Sequence, residues 1–494
     1  MLRRTFIRHA AGTVLAGSAL TVGRPVLADG NEPSTTIGES PFGELGLAPD
    51  GNGILLPTGF TSRVVAISGE PPVRDAAPWH VFPDGGATFP DPSGGWFYVS
   101  NSEVFPTTAP DSGGVSSLHF DADGNLLSSQ QILSGSNSNC AGGPTPWGTW
   151  LSCEEHPDGQ GRVWECDPTG ATTAIAHEQM GRWRREAVAV DPVDQILYMT
   201  EDHPEGHLYR YLPSNYPDLS EGSVEVCTVD SFNHVTWTNI TDPSGTSAPT
   251  HSQVAESTIF PGNEGIWYHD GWVYFCTKHD HSVHGINLRT MSYQLIWKGG
   301  PDSLGVEGAV LSGVDNITVN ERTGDLYVAE DGGNMEIVLI TPDGLVAPFL
   351  RVTNQDDSEI TGPAFSPDGK RMYFSSQRGP ANRSLGDALG IEKDSTHIGI
   401  TYEVTGPFDW RMTDDVSTEL AVSPSVTAPP VASPSTTLPL AQTTITAQSA
   451  LSPSTSSTAS GSRIALGGVA LTVAAAALFA WRQRQQTTID TDEG

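Results

Sequence analysis

Leu326-Tyr327-Val328-Ala329-Glu330-Asp331 runs apolar, aromatic, apolar, small, then acidic, and the same order recurs along the chain. It appears as Phe97-Tyr98-Val99-Ser100-Asn101, Thr149-Trp150-Leu151-Ser152 and Leu197-Tyr198-Met199-Thr200-Glu201-Asp202. It returns as Val273-Tyr274-Phe275-Cys276 and Met372-Tyr373-Phe374-Ser375-Ser376. The aromatics stand at 98, 150, 198, 274, 327 and 373, separated by 52, 48, 76, 53 and 46 residues. A period near 50 with several short strands per unit is the pattern of a β-propeller. Turn chemistry agrees: Asp123-Gly124-Asn125, Thr323-Gly324-Asp325 and Pro367-Asp368-Gly369-Lys370 are hairpin sequences between strands. The expected fold is therefore all-β, a propeller of about five to six blades over residues 51–410, the sixth resting on the segment near 60–101. The long interval after Tyr198 predicts an insertion near 213–247. A β-sandwich with fortuitous tyrosine spacing is the competing reading.

A propeller brings equivalent positions of successive units to one central channel. Glu186 in Arg185-Glu186-Ala187, Glu264 in Asn263-Glu264-Gly265 and Asp315 in Val314-Asp315-Asn316 each lie ten to twelve residues before their repeat aromatic. Cys140 lies ten residues before Trp150. Cys, Glu, Glu and Asp thus share one repeat position. Carboxylates brought together cannot all stay ionised without a cation, so a metal cluster is the natural solution. A second acidic layer follows the repeat strands: Glu154-Glu155, Glu201-Asp202 and Glu330-Asp331. His156, His203, His207 and the group His279, His281 and His284 are nearby candidates of lower rank.

The richest single stretch is Asn139-Cys140-Ala141-Gly142-Gly143-Pro144-Thr145-Pro146-Trp147-Gly148-Thr149-Trp150-Leu151-Ser152-Cys153-Glu154-Glu155. Small and rigid residues shape a turn that can aim a thiol and two carboxylates at one place. A thiolate with carboxylates suits iron or zinc, and carboxylates alone suit calcium.

The ends of the chain read as addresses. Residues 1–28 carry Arg3-Arg4-Thr5-Phe6-Ile7, a small-apolar run and Val26-Leu27-Ala28, a twin-arginine-like export signal. Residues 29–50 form an N-terminal extension. Residues 411–463 are rich in Ser, Thr, Pro and Ala, the composition of a linker. Residues 464–481 are uncharged and just long enough to span a membrane, and Arg482 and Arg484 place the tail, 482–494, in the cytoplasm. The expected protein is an extracytoplasmic domain anchored to the cell membrane.

Composition narrows the partners. The net charge of −33, from 58 acidic and 25 basic residues, disfavours nucleic acid and favours cations. Five cysteines leave at least one thiol unpaired, for which Cys140 is the candidate; a Cys153–Cys166 disulfide is possible. No strong serine-nucleophile motif, P-loop or Rossmann fingerprint is present.

On the Asn139–Glu155 stretch, with Val99-Ser100-Asn101-Ser102-Glu103, Arg185-Glu186-Ala187, Asn263-Glu264-Gly265 and Val314-Asp315-Asn316, the chain resembles the PhoX-type alkaline phosphatases. The resemblance implies a twin-arginine-exported propeller that hydrolyses phosphate monoesters at an iron–calcium cluster. It implies metal ligation by Cys140, Glu186, Glu264 and Asp315, the residues that would carry catalysis, with Glu154 or Glu155 completing the shell; from the second acidic layer, Glu201 and Asp202 are further metal candidates. The partner would be a small phosphorylated substrate, and a monomer is expected. Long members of the family carry an Arg two residues before the Glu matched by Glu264, where it grips phosphate. Here that place is Gly262, so Arg184, Arg185 or Lys278 would supply the cation, with Arg185 taken as the substrate-binding residue. Two other readings compete: a non-catalytic, calcium-binding propeller that binds a surface or partner, and a propeller lactonase or esterase.

Overall fold

The computed structural model describes residues 33–299, 310–356, 358–380 and 399–411. The export signal, the linker, the membrane span and the tail lie outside these residues, as do parts of the N-terminal extension. Residues 107–109 and 409–411 group apart from the rest and carry no regular strand.

Among the described residues there are six sheets, antiparallel except where Thr36–Ile37 adds parallel to the edge of one, and no α-helix. Each sheet is one propeller blade, and each contains one repeat aromatic in its second strand. Blade one runs Pro83–Pro90, Trp96–Ser102, Gly113–Phe120 and Leu126–Ser136. Blade two runs Asn139–Pro144, Trp150–Glu154, Val163–Cys166 and Ile175–Ala176. Blade three has five strands, from Arg185–Asp191 and Ile196–Glu201 out to Val235–Asn239; its long hairpin, Leu208–Asn215 with Asp218–Val229, accounts for much of the long interval. Blade four runs from Asn263–His269 through Trp272–Thr277 to Ser292–Lys298. Blade five runs from Val314–Asn320 through Asp325–Glu330 to Leu345–Val352. Blade six combines Ile360–Phe365, Arg371–Ser376 and Ile400–Thr405 with Thr61–Ile67, a strand from the other end of the chain. That strand closes the ring, so the segment near 60–101 is shared between the last blade and the first.

The second strands read as continuous apolar runs because a neighbouring blade covers each face. Alternation then assigns their side chains to different neighbours: Tyr327 and Ala329 enter the apolar cluster shared with blade six, Leu326 and Val328 the one shared with blade four. Six such clusters lie between adjacent blades around the ring.

All six inner strands carry a β-bulge in the same part of the blade. A bulge inserts one residue and re-aims a side chain. Its first residue is Asp84, Cys140, Glu186, Glu264, Asp315 and, in blade six, Gly362. Its second residue is Gly85, Ala141, Ala187, Gly265, Asn316 or Pro363, and these line a cavity of about 20 Å³. Glycine is required at two of these places because the inner strands nearly touch: a Cβ on Gly85 would lie 2.4 Å from Ala141 Cα, and one on Gly265 2.8 Å from Asn316 Cα. Gly85→Ala must push two backbones apart, and we expect it to cost about 3 kcal/mol, lowering Tm by several degrees in calorimetry.

Candidate metal centre

The six bulges bring one set of side chains to one end of the channel. Cys140 Sγ lies 3.2 Å from Glu186 Oε1 and 3.7 Å from Asp84 Oδ2. A second set comes from the residue that directly follows each blade's second strand: Glu103, Glu155, Asp202, Lys278, Asp331 and Gln377. Glu359, just before the inner strand of blade six, completes the ring. Four groups have ligand atoms within 4.8 Å of one another: Asp84, Glu103 and Cys140; Cys140, Glu155 and Glu186; Glu186, Glu264 and Asp315; Asp315, Asp331 and Glu359. Shared members link them into one chain.

Three cations answer these acids. Arg184 meets Glu155, and its guanidinium is 3.0 Å from Asp202. Lys278 reaches Glu264, Asp315 and Asp331 at 3.2, 2.8 and 3.2 Å. Arg378 is 2.8 Å from Glu359. Gln377 Nε2 donates to Asp84 Oδ2 at 2.6 Å and to Glu103 Oε2 at 2.9 Å. The acids are buried except Asp331, which is half-buried, whereas the three cations are about a third exposed, at 34, 30 and 33%.

Acids so outnumber cations that protons must be held in the absence of metal. Burial, reinforced by Asp315, pushes Asp84 up to about 8. Burial and Asp84 push Glu103 up to about 8. Burial followed by neighbouring carboxylates raises Glu155, Glu186 and Glu359 well above the usual carboxylate range. Burial and Asp84 likewise raise the Cys140 thiol. Glu186 Oε2 is buried without a hydrogen-bond partner. An orphaned carboxylate oxygen beside a thiol and several more carboxylates is a donor set that fits metal ions. Oxygen ligands suit calcium, and the thiolate end suits iron.

The structure brings Cys140, Glu155, Glu186, Glu264 and Asp315 into the ring. It separates Glu154 from Glu155. Adjacent strand residues face opposite ways, and Glu154 accepts hydrogen bonds from the Asn137 and Arg162 amides at 3.1 Å each. Glu201 is separated from Asp202 in the same way, bonded to Tyr209 Oη at 2.7 Å and paired with His251 at 3.0 Å. Glu330 turns back to the amides of Ser312 and Glu336. Asp202 stands beside Arg184 at the edge of the ring, outside the four groups.

Arg185 does not face the ring. It is fully buried, donates to the carbonyls of Met180 and Gly181 at 2.9 and 3.0 Å, and lies 3.5 Å above the Trp183 ring. Burial pushes its guanidinium down to about 10. Arg184, one residue earlier, holds the position facing the carboxylates. We expect Arg185→Met to lower stability by about 2–4 kcal/mol, because it orphans two buried carbonyls; Arg184→Ala, measured with calcium and iron present, should leave Tm within about 2 °C. Thermal melts of the two variants check this.

Asp84, Glu359 and Arg378 were not legible as site residues, Glu103 only as part of a motif, and Asp331 as a member of the second acidic layer. Asp84 could have been found from its context. Asp84-Gly85-Gly86 repeats the polar–small pattern of Cys140-Ala141-Gly142 and Glu264-Gly265, but it stands further from its aromatic. The histidines sit elsewhere: the His207 ring contacts the carbonyls of Thr258 and His251, and His284 lies between Thr277 and Tyr293. The five cysteines are free. Cys153 pairs across the hairpin with Val163, and Cys166 with Trp150, too far along the ladder for the disulfide that seemed possible. At Gly262 the backbone has φ 63°, and a Cβ would lie 2.8 Å from His279 Cδ2. A side chain there would meet both backbone strain and His279.

The family model for alkaline phosphatase PhoX matches residues 113–379, more than half of the chain. Among solved structures, Pseudomonas fluorescens PhoX in complex with vanadate, a transition-state analogue, matches with TM-score 0.61 and 16% identity, covering 72% of this chain and 96% of that one. A protein of unknown function from Bacteroides thetaiotaomicron matches with TM-score 0.40 and 12% identity, covering 70% and 76%. An auxiliary nutrient-binding protein from Bacteroides ovatus matches with TM-score 0.40 and 13% identity, covering 71% and 77%. No curated protein matches the chain.

Proposed function

The chain belongs to the PhoX alkaline phosphatase family, and from that premise we propose that it is an extracytoplasmic, metal-dependent phosphatase hydrolysing phosphate monoesters at the ring of the propeller channel. The observation that carries this reading is the run of four overlapping metal-ligand groups from Asp84 to Glu359. We propose Cys140, Glu155, Glu186, Glu264 and Asp315 as ligands for iron and calcium, with Asp84, Glu103, Asp331 and Glu359 extending the calcium-binding part. Metal ions held there would supply the positive charge that neutralises a phosphate and polarises its ester bond.

The chain's own residues would position the substrate. Without bound cations the ring is too acidic to admit a phosphate. Arg184 offers a planar fork, suited to two phosphate oxygens, on the solvent-accessible side of the ring. Of its present partners, Glu155 and Asp202, Glu155 would turn to metal and loosen its hold on the guanidinium. Gln377 orients Asp84 and Glu103 through its two hydrogen bonds. The inner-strand bulges, packed backbone against backbone, keep these groups rigid.

Hydrolysis of p-nitrophenyl phosphate tests the reading. Activity that EDTA abolishes and added calcium and iron restore is expected; a metal-loaded protein inactive on phosphomonoesters would refute it. Arg184→Ala should raise KM by roughly tenfold, one charge-assisted contact. The second reading, a non-catalytic calcium-stabilised propeller, is favoured by Gly262, which removes the phosphate-gripping Arg implied for long family members. It predicts calcium binding and a stability gain without turnover. We also propose twin-arginine export through residues 1–28 and anchoring through residues 464–481. Among the described residues no helix is long and apolar enough to cross a membrane.

A further inference from the structure

Lys278 breaks the pattern of its ring. In blades one, two, three and five, the residue following the second strand is an acid: Glu103, Glu155, Asp202 or Asp331. In blade four it is Lys278, directly after Trp272–Thr277. Its amine is taken up by three acids. Nζ lies 3.2 Å from Glu264, 2.8 Å from Asp315 and 3.2 Å from Asp331, carboxylates contributed by two blades. The backbone holds it there, since the Lys278 amide donates to Gly262 O at 2.7 Å.

The position is where two ligand groups meet. Glu264 and Asp315 group with Glu186, and Asp315 and Asp331 group with Glu359. An ammonium is a compact charge with three donors, and here each donor has one carboxylate. Three carboxylates thus surround one ammonium at about 3 Å, and Asp315 among them belongs to both ligand groups. We propose that Lys278 is a built-in cation standing in for one divalent ion of the ring. The chain then loads one metal ion fewer than the same ring with a carboxylate at 278. This rests on the metal-ring reading of the proposed function.

The test is metal stoichiometry, which does not depend on turnover. The full chain, dialysed against calcium after loading with iron, is assayed by elemental analysis as wild type, Lys278→Glu and Lys278→Arg. Lys278→Glu is expected to hold about one more calcium per chain, and Lys278→Arg the wild-type number. An unchanged calcium count in folded Lys278→Glu overturns the inference while leaving the phosphatase reading intact. A wild type that binds no metal overturns both. Should Lys278→Glu fail to fold, Lys278→Gln decides. Its Tm in EDTA should fall below that of the wild type and recover further on adding calcium; an equal calcium response in the two proteins overturns the inference.

Discussion

Glu186→Gln is expected to leave the propeller folded, to strip metal from its ring and to cut p-nitrophenyl phosphate hydrolysis by at least about 100-fold, the loss that removing even an outer partner of a metal site can cause. Glu186 belongs to two of the four ligand groups, joining the Cys140 end of the ring to the Asp315 end. Its Oε2 has no hydrogen-bond partner, and its Oε1 faces the Cys140 thiol. Glutamine keeps the shape and removes the charge, so the metal-free protein should be no less stable; burying an unpaired carboxylate is itself unfavourable. Glu201→Gln is the control. It lies on the neighbouring strand of the same blade, paired in the ladder with Arg185, but its carboxylate serves Tyr209 and His251. Elemental analysis of both variants separates the two roles: Glu201→Gln should keep its metal. Full metal content and full turnover in Glu186→Gln would remove Glu186 from the site.

Metal removal is expected to make stability fall as pH rises. In the metal-free fold Asp84 and Glu103 are pushed up to about 8, and Glu155, Glu186 and Glu359 lie well above the usual range. For each, the folded state holds a proton that the unfolded chain releases near pH 4. The folded state therefore binds more protons between about pH 4 and 8, and unfolding is favoured as pH climbs through that window. The stabilising protonation is fully present below the unfolded value and lost as pH passes the folded one. Lys278, held well above its ordinary value because Asp315, Glu264 and Asp331 outweigh its burial, offsets part of the repulsion throughout. In EDTA, Tm should drop by about 10 °C or more from pH 5 to pH 8, roughly 7 kcal/mol at ~2.1 cal/mol/K for each of the ~350 described residues. With calcium and iron present the same scan should be nearly flat. Equal pH slopes with and without chelator would mean that the ring does not hold these metals.

The strand repeat was legible, and the blade count to within one, because the apolar–aromatic–apolar strand is the most buried part of each unit, and burial on both faces leaves a strong residue pattern. Four members of the ring, Cys140, Glu186, Glu264 and Asp315, were legible for a related reason. The inner hairpin has nearly constant length, so a polar residue at its base keeps its distance from the aromatic. Asp84 escaped because its hairpin is longer. Glu359 escaped because it precedes its inner strand, and Arg378 because it lies beyond the second strand. Gly362 has no side chain to offer at the sixth bulge, and Gln377 and Glu359 fill that sector instead.

By itself the sequence determined that the chain is a repeated all-β propeller of five to six units, that it gathers a thiol and acids at one repeat position, and that cations must answer them. Only the tertiary structure decided between neighbours: Glu155 rather than Glu154, Asp202 rather than Glu201, Arg184 rather than Arg185. Adjacent residues on a strand point to opposite sides, so one step of register exchanges ring for core. That step is set by the six bulges, and a bulge depends on how one strand pairs with the next and how close the adjacent blades come. It is a property of the closed ring of blades, which no single repeat encodes alone.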